Sequence, residues 1–218
     1  MSSVEKNQYI WQRRVIGIMV LALSPLSVLF GLIGINHNPA GWWYSISDTY
    51  YANSQVIMIS IISIAAFFFC TYAGYDWRDR VVNIISGVGL FGLLFFPCGN
   101  EGVIAEGKLV GLFCIKPEIS TYIHSAFAIL AFAGFFFNEM FIFTLGNNEK
   151  SEGKKRRNLI YRICASTVLI ALVLIILNAF PVINKAIPNL IWIAEFISLT
   201  GAGIAWLVKG KALKILND

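Results

Sequence analysis

The chain has 218 residues, of which 57% are hydrophobic and 13% are charged, and its formal net charge is +5. Soluble domains carry about 25% charged residues, so this composition excludes an ordinary water-soluble fold. The positive charge does not indicate nucleic-acid binding, because the basic residues flank long apolar runs, where they orient a membrane protein and contact anionic lipid headgroups.

Six apolar runs follow one another along the chain, each about 17–27 residues long, close to the roughly 20 residues that cross a bilayer core as a helix. The first run is too long for the apolar part of a signal peptide. We therefore predict an all-α polytopic membrane protein in which residues 1–218 form a single six-helix transmembrane domain, with spans at residues 15–35, 54–75, 81–97, 119–145, 159–180 and 187–208.

The connections between these runs alternate in charge. Of the 17 lysines and arginines, 14 fall on one side of the predicted bundle, and Lys108, Lys116 and Lys185 fall on the other. Cytoplasmic loops collect Lys and Arg, so we expect both termini to be cytoplasmic and the protein to lie in the plasma membrane.

Titratable residues gather at the outer ends of several predicted spans. Asp48 precedes the second span, His124 lies near the outer start of the fourth, and Glu195 lies about 12 Å into the last. Ionisable groups in a bilayer mark a functional site or a buried pair. Three interpretations remain open: a hydrogen-bonded polar plug, a ligand or lipid-headgroup pocket, and a metal site. The candidate ligand-binding set is Ser47, Asp48, His124 and Glu195, with His37 and Tyr51 at comparable depth.

A second polar pair is predicted at the inner side. Glu139, near the end of the fourth run, and Arg162, near the start of the fifth, lie at similar depth. An ion pair would lower the desolvation cost of both groups, so we expect a structural Glu139–Arg162 pair.

The cysteines and histidines show no metal-ligand spacing, so we expect neither a metal nor another cofactor. Cys98 and Cys114 both belong to the connection between the third and fourth runs. If that side meets an oxidising compartment, a disulfide between them could stabilise the fold by about 3 kcal/mol in the loop-entropy model.

Small residues form a stripe on the last predicted helix, within about 100° of arc. Such stripes allow helix backbones to approach closely in lipid. The stripe predicts either packing within the chain or a homo-oligomer contact, and its members are Ala194, Ser198, Gly201, Ala202 and Ala205.

Short motifs at the same places carry a family resemblance. They are the acidic position Glu195 in the last span, His124 near the start of the fourth, and the segments Ser45-Ile46-Ser47-Asp48-Thr49-Tyr50-Tyr51 before the second span and Tyr72-Ala73-Gly74-Tyr75-Asp76 after it. With these motifs the chain resembles the DRAM/Frag-type superfamily of six-helix membrane proteins, and in particular its bacterial-type relatives of unknown function. The resemblance implies cytoplasmic termini, a lipid-related role and no established catalytic residues.

The leading functional hypothesis is a non-enzymatic membrane protein that binds or organises lipid through an outward-facing polar pocket shaped by Asp48, His124 and Glu195. A first alternative is a membrane-embedded hydrolase that acts on lipid amide or ester bonds. A second alternative is a transporter, channel or membrane-perturbing effector that acts as an oligomer.

Overall fold

The computed structural model describes residues 3–33, 35–74, 76–99, 104, 107–145, 151–178, 183, 186–187 and 189–213. The all-α prediction is confirmed over these residues, which contain no β-strand. Their six α-helices are α1 Ser3–Ile33, α2 Gln55–Thr71, α3 Trp77–Phe95, α4 Pro117–Phe137, α5 Glu152–Asn178 and α6 Leu190–Lys209.

Four of these helices are long and apolar enough to cross a membrane: Asn7–Ile33, Pro117–Ile142, Glu152–Asn178 and Leu190–Lys209. Their length and composition indicate an integral membrane protein. The helix α2 is apolar but has only 17 residues, and α3 has 19 residues and carries Arg78, Asp79 and Arg80 in its first turn.

Some helix ends differ from the predicted spans. The second helix ends at Thr71 rather than residue 75, and Gly74 follows with a positive φ of 68°, a conformation that a side chain disfavours. The fifth helix begins at Glu152 rather than residue 159. Hydropathy overlooks its first turns because they are charged, although Lys and Arg are good helix formers.

Trp206 of α6 lies at the centre of the packing. Its side chain is fully buried, and its ring meets those of Phe69, Tyr72 and Phe143 edge-on, at centroid distances of 5.1, 5.4 and 4.9 Å. Edge-to-face aromatic pairs contribute about 0.5–1.5 kcal/mol each beyond their area burial. This cluster joins α2 and α6 to Phe143, which follows the π-helical turn Asn138–Ile142 at the end of α4. We call α4 and this turn together the fourth helical segment.

Small residues bring the helix backbones together around this centre. A Cβ added at Gly203 of α6 would lie 2.9 Å from the Gly17 carbonyl oxygen of α1, and one added at Gly89 of α3 would lie 2.8 Å from the Ala131 nitrogen of α4. The predicted stripe of small residues on α6 is buried, so it packs against other helices of the same chain. A homo-oligomer stays a prediction.

Candidate functional site

A short 3₁₀ turn, Ser47–Tyr51, leads into α2 and buries Asp48 and Thr49 completely. The Asp48 backbone N–H donates to Ser45 Oγ at 3.0 Å, and the Ser45 hydroxyl donates to Asp48 Oδ2 at 2.7 Å. The Thr49 hydroxyl donates to the Ile46 carbonyl oxygen at 2.6 Å. Ser, Asp and Thr favour such local bonds over regular helix, and this explains why the turn is compact and folded inward.

Glu195 ties this turn to α6. The Ile46 backbone N–H donates to Glu195 Oε2 at 2.6 Å, a bond between residues 149 positions apart. The Trp192 N–H also donates to the Tyr44 carbonyl oxygen at 3.1 Å. The segment before α2 is thereby held against the start of α6.

His124 uses both ring nitrogens. Its Nδ1 lies 2.8 Å from the Phe96 carbonyl oxygen, and its Nε2 lies 3.0 Å from Ser47 Oγ. Because a carbonyl oxygen only accepts, Nδ1 must carry the proton, and the neutral ring then accepts the Ser47 hydroxyl proton at Nε2. His124 thus bonds to a hydroxyl and a carbonyl oxygen, and not to the Asp48 or Glu195 carboxylate that a polar plug would use.

The thiol of Cys98 faces Asp48 inside the bundle, with Sγ 3.5 Å from Oδ1. Burial, together with the nearby Asp48 charge, raises the pKa of the Cys98 thiol well above its ordinary value. The sulfur therefore stays protonated and donates to the carboxylate.

Cys98 and Cys114, which could pair if their side of the membrane is oxidising, are both free thiols in this structure. Cys98 is buried against Asp48, whereas Cys114 is exposed in the tight turn closed by the bridge between Val110 and Ile115. The two thiols face different surroundings.

A cavity of about 360 Å³ opens beside this network, between α4 on one side and α5 and α6 on the other. One end is polar and the remainder is apolar. The polar end is lined by Ser45, Ser47, Cys98, Thr121, His124, Ser125 and Glu195, and the apolar part by Ala128, Ile129, Phe132, Leu172, Ile175, Ile176 and Ile191. We call this space the outer cavity. Its lining residues include no lysine or arginine.

The six predicted ligand-binding residues divide into two groups. Ser47, His124 and Glu195 line the outer cavity, and Asp48 is buried behind it. His37 and Tyr51 instead line a separate cavity of about 490 Å³ together with Lys108. Ser47 and Tyr51 line different cavities because the 3₁₀ turn directs their side chains to different sides.

Tyr51 has an environment of its own in this second cavity. Its phenol oxygen is buried without a hydrogen-bond partner among the described residues. Burial is the largest cause that raises the pKa of Tyr51, and the neighbouring Cys98, Tyr50 and Asp48 add to it. The phenol is therefore neutral at physiological pH.

The predicted Glu139–Arg162 ion pair is wrong. Glu139 is fully buried in a π-helical turn, Asn138–Ile142, and neither carboxyl oxygen has a hydrogen-bond partner in the described part of the chain. Arg162 is exposed. Equal depth on successive helices did not place the two side chains on facing sides, because the π turn changes the direction in which Glu139 points.

A second network of hydrogen-bonded polar side chains, which we call the inner network, was not predicted from the sequence. Arg13 Nε donates to the Tyr72 hydroxyl at 2.8 Å. Asn83 Nδ2 donates to Asp79 Oδ1 at 2.7 Å and lies 3.4 Å from the Asn138 amide oxygen. The signal was present in the sequence, since Asn83 and Asn138 interrupt apolar runs where an unpaired amide is costly.

Searched over the described residues, the structure holds no group of three or more His, Cys, Asp or Glu side chains that could bind a metal. The metal interpretation of the outer cluster therefore gains no support.

No protein-family model matches this chain, and neither does a curated protein or a solved structure. The resemblance to the DRAM/Frag-type superfamily stays a prediction.

Glu195→Leu tests the bond that holds the turn. It should lower the free energy of unfolding by about 1–3 kcal/mol, because the Ile46 N–H loses its acceptor. Glu118→Leu, at an exposed position of α4, is the matched control and should stay within about 0.5 kcal/mol of the parent. Unfolding by SDS titration from mixed micelles measures both. Equal stability of the two variants would contradict the role of this bond.

Glu139→Gln and Arg162→Gln should have additive effects on stability. No pair joins the two residues, so the free energy of unfolding of the double variant should equal the sum of the singles within about 0.5 kcal/mol. The same SDS titration measures this double-mutant cycle. A coupling energy above about 1 kcal/mol would show that the two charges interact.

Proposed function

We propose that all six helices cross the plasma membrane, with both termini cytoplasmic. The support is the charge distribution together with the two shorter helices. At 1.5 Å per residue, α2 and α3 are about 25 and 28 Å long, near the thickness of a bilayer core. The buried basic residues Arg13 and Lys209 lie at the end of the bundle away from the outer cavity, as the positive-inside rule requires.

A reporter fused after Asp218 tests this topology. Alkaline phosphatase, which is active only outside the cytoplasm, should be inactive at that position, and a fluorescent protein that folds in the cytoplasm should be bright. The same pair fused after Gly107, in the connection between α3 and α4, should give the opposite result. An active phosphatase after Asp218 would contradict a cytoplasmic C-terminus.

We further propose that the protein binds membrane lipid in the outer cavity. The observation that carries this proposal is the division of its lining: hydroxyl, imidazole and carboxyl groups at one end, and seven aliphatic or aromatic side chains along the rest. A lipid has the same division. At about 360 Å³ the cavity falls within the usual range for ligand sites.

The route of entry is also apolar. Ile129 and Ile176 line the cavity and are 60% and 66% exposed. In a bilayer this exposed flank faces acyl chains, because α4 and α5 are both among the helices able to span. A lipid chain can therefore enter sideways without crossing water.

The polar end selects among lipid groups. It offers the Glu195 carboxyl group and the Ser47, Thr121 and Ser125 hydroxyls, and no basic side chain among its lining residues. A phosphate there would find no lysine or arginine to offset its charge. We therefore propose that an ester, amide or hydroxyl group of the lipid occupies this end, and that any phosphate stays at the membrane surface.

Ala128→Trp should displace the lipid. Ala128 lines the apolar part of the outer cavity, and an indole there would fill much of it. Native mass spectrometry after purification in mild detergent should show several-fold less bound lipid than in the parent protein. Ala126→Trp is the matched control, because Ala126 is exposed on the same helix and does not line the cavity. Equal lipid content in the two variants would refute binding in this cavity.

A further inference from the structure

Ser47 and His124 have the geometry of a nucleophile and its general base. Ser47 Oγ lies 3.0 Å from His124 Nε2, inside the range of about 2.6–3.2 Å that such a pair requires. A third group orients the base, since His124 Nδ1–H donates to the Phe96 carbonyl oxygen at 2.8 Å. The arrangement leaves the basic nitrogen of the neutral ring aimed at the hydroxyl.

The other hydroxyls that line the outer cavity are bonded differently. The Thr121 hydroxyl donates to the Pro117 carbonyl oxygen, the Ser125 hydroxyl to the Thr121 carbonyl oxygen, and the Ser45 hydroxyl to Asp48. These three bonds are local, and Thr121 Oγ1 in addition accepts from the Gly99 N–H at 2.7 Å. Among the lining residues, Ser47 is the hydroxyl that meets an imidazole.

The pair is also placed where a substrate would reach it. Ser47 is partly exposed and lines the polar end of the outer cavity with His124. His124 is only 7% exposed, so its ring is held by packing as well as by hydrogen bonds. A lipid whose chain fills the apolar part would bring the carbonyl group at the head of that chain to Ser47 Oγ.

We propose that this site cleaves the ester bond of a membrane lipid, with Ser47 as nucleophile and His124 as general base. This inference rests on the proposed lipid binding and names the chemistry of the same cavity.

The reaction proceeds in two steps. In the first, Ser47 Oγ attacks the ester carbonyl carbon while His124 Nε2 takes the hydroxyl proton. The bond to the leaving alcohol oxygen then breaks, and His124 returns the proton to that oxygen, which leaves an acyl ester on Ser47 and a free alcohol.

In the second step, water gives a proton to His124 Nε2 and attacks the acyl ester. The Ser47–acyl bond breaks, the proton passes to Ser47 Oγ, and a carboxylic acid leaves. The net change is one ester and one water converted to one acid and one alcohol, without an oxidant, a reductant or a metal.

Glu195 acts as a positioning residue in this scheme. Its carboxyl group accepts from the backbone N–H of Ile46, the residue before Ser47. The Ser47 hydroxyl is also close enough to hydrogen-bond to the Glu195 carboxyl group. The Glu195 bond thereby sets the distance from Ser47 to His124.

A serine-directed alkyl fluorophosphonate tests the inference on the full chain, reconstituted in phosphatidylcholine vesicles. Peptide mapping by mass spectrometry should find the adduct on Ser47 of the parent protein, a result that needs no variant. Hydrolysis of p-nitrophenyl laurate by the same vesicles gives a second readout.

Three variants complete the test. Ser47→Ala should lose both the adduct and hydrolysis, and His124→Gln should slow both by about 10²–10⁴-fold, the usual contribution of a general base. Ser166→Ala, which removes an exposed hydroxyl of α5 that does not line the cavity, should match the parent. An adduct absent from Ser47 of the parent, or formed in His124→Gln at the parent rate, would overturn the inference.

The lipid content of the same preparations separates the two proposals. A parent protein that retains lipid and forms no adduct on Ser47 leaves lipid binding intact and overturns the hydrolase. Equal lipid content in Ala128→Trp and Ala126→Trp instead overturns lipid binding, whatever the probe shows.

Discussion

The bond from the Ile46 N–H to Glu195 is the constraint on which the outer half of the structure depends. Before α2 the backbone is irregular, and irregular backbone at membrane depth is tolerated only where its polar groups are satisfied inside the protein. Glu195 supplies one acceptor and Ser45 another. With both in place the turn can bury Asp48 and still present Ser47 to the outer cavity. The positions of Ser45 and Ser47 at the cavity follow from this attachment.

The two ends of α6 serve different purposes. Glu195 lies at the outer cavity, and Lys209 lies about 21 Å further along at 1.5 Å per residue, with its Nζ 3.2 Å from the Phe143 carbonyl oxygen. Between them Trp206 packs against α2 and the end of the fourth helical segment. One helix therefore joins the candidate site to the aromatic centre of the bundle, so damage to that packing should also disturb the cavity.

Hydropathy and charge were sufficient to predict the all-α class and the approximate positions of six helices, although α1 begins at Ser3, 12 residues before the predicted start at residue 15. Helix ends with charged turns, such as residues 152–158, were missed because a hydropathy signal depends on apolar side chains and a helix does not. The sequence also led us to expect the segment around Asp48 close to His124 and Glu195, and in the structure Ser47 contacts His124 while Ile46 contacts Glu195.

Side-chain direction could not be predicted in the same way. The Glu139–Arg162 pair failed because a π turn rotates the end of the fourth segment, and hydrophobic periodicity carries no sign of that rotation. His37 and Tyr51 were assigned to the wrong cavity, because the 3₁₀ turn decides which side each residue faces. The Ser47–His124 contact joins residues 77 positions apart. A serine and a histidine that far apart, with no fixed spacing between them, cannot be recognised as a pair from the sequence.

We propose above that a lipid chain occupies the outer cavity with its head at Ser47 and His124. The most direct measurement is photocrosslinking in vesicles that contain a phospholipid with a diazirine in its acyl chain, followed by mass spectrometry of the modified peptides. Binding in this cavity predicts adducts on the lining residues Phe132 and Leu172, and their loss in Ala128→Trp. Adducts confined to exposed positions of the bundle, such as Phe137 and Ile163, and unaffected by Ala128→Trp, would contradict it.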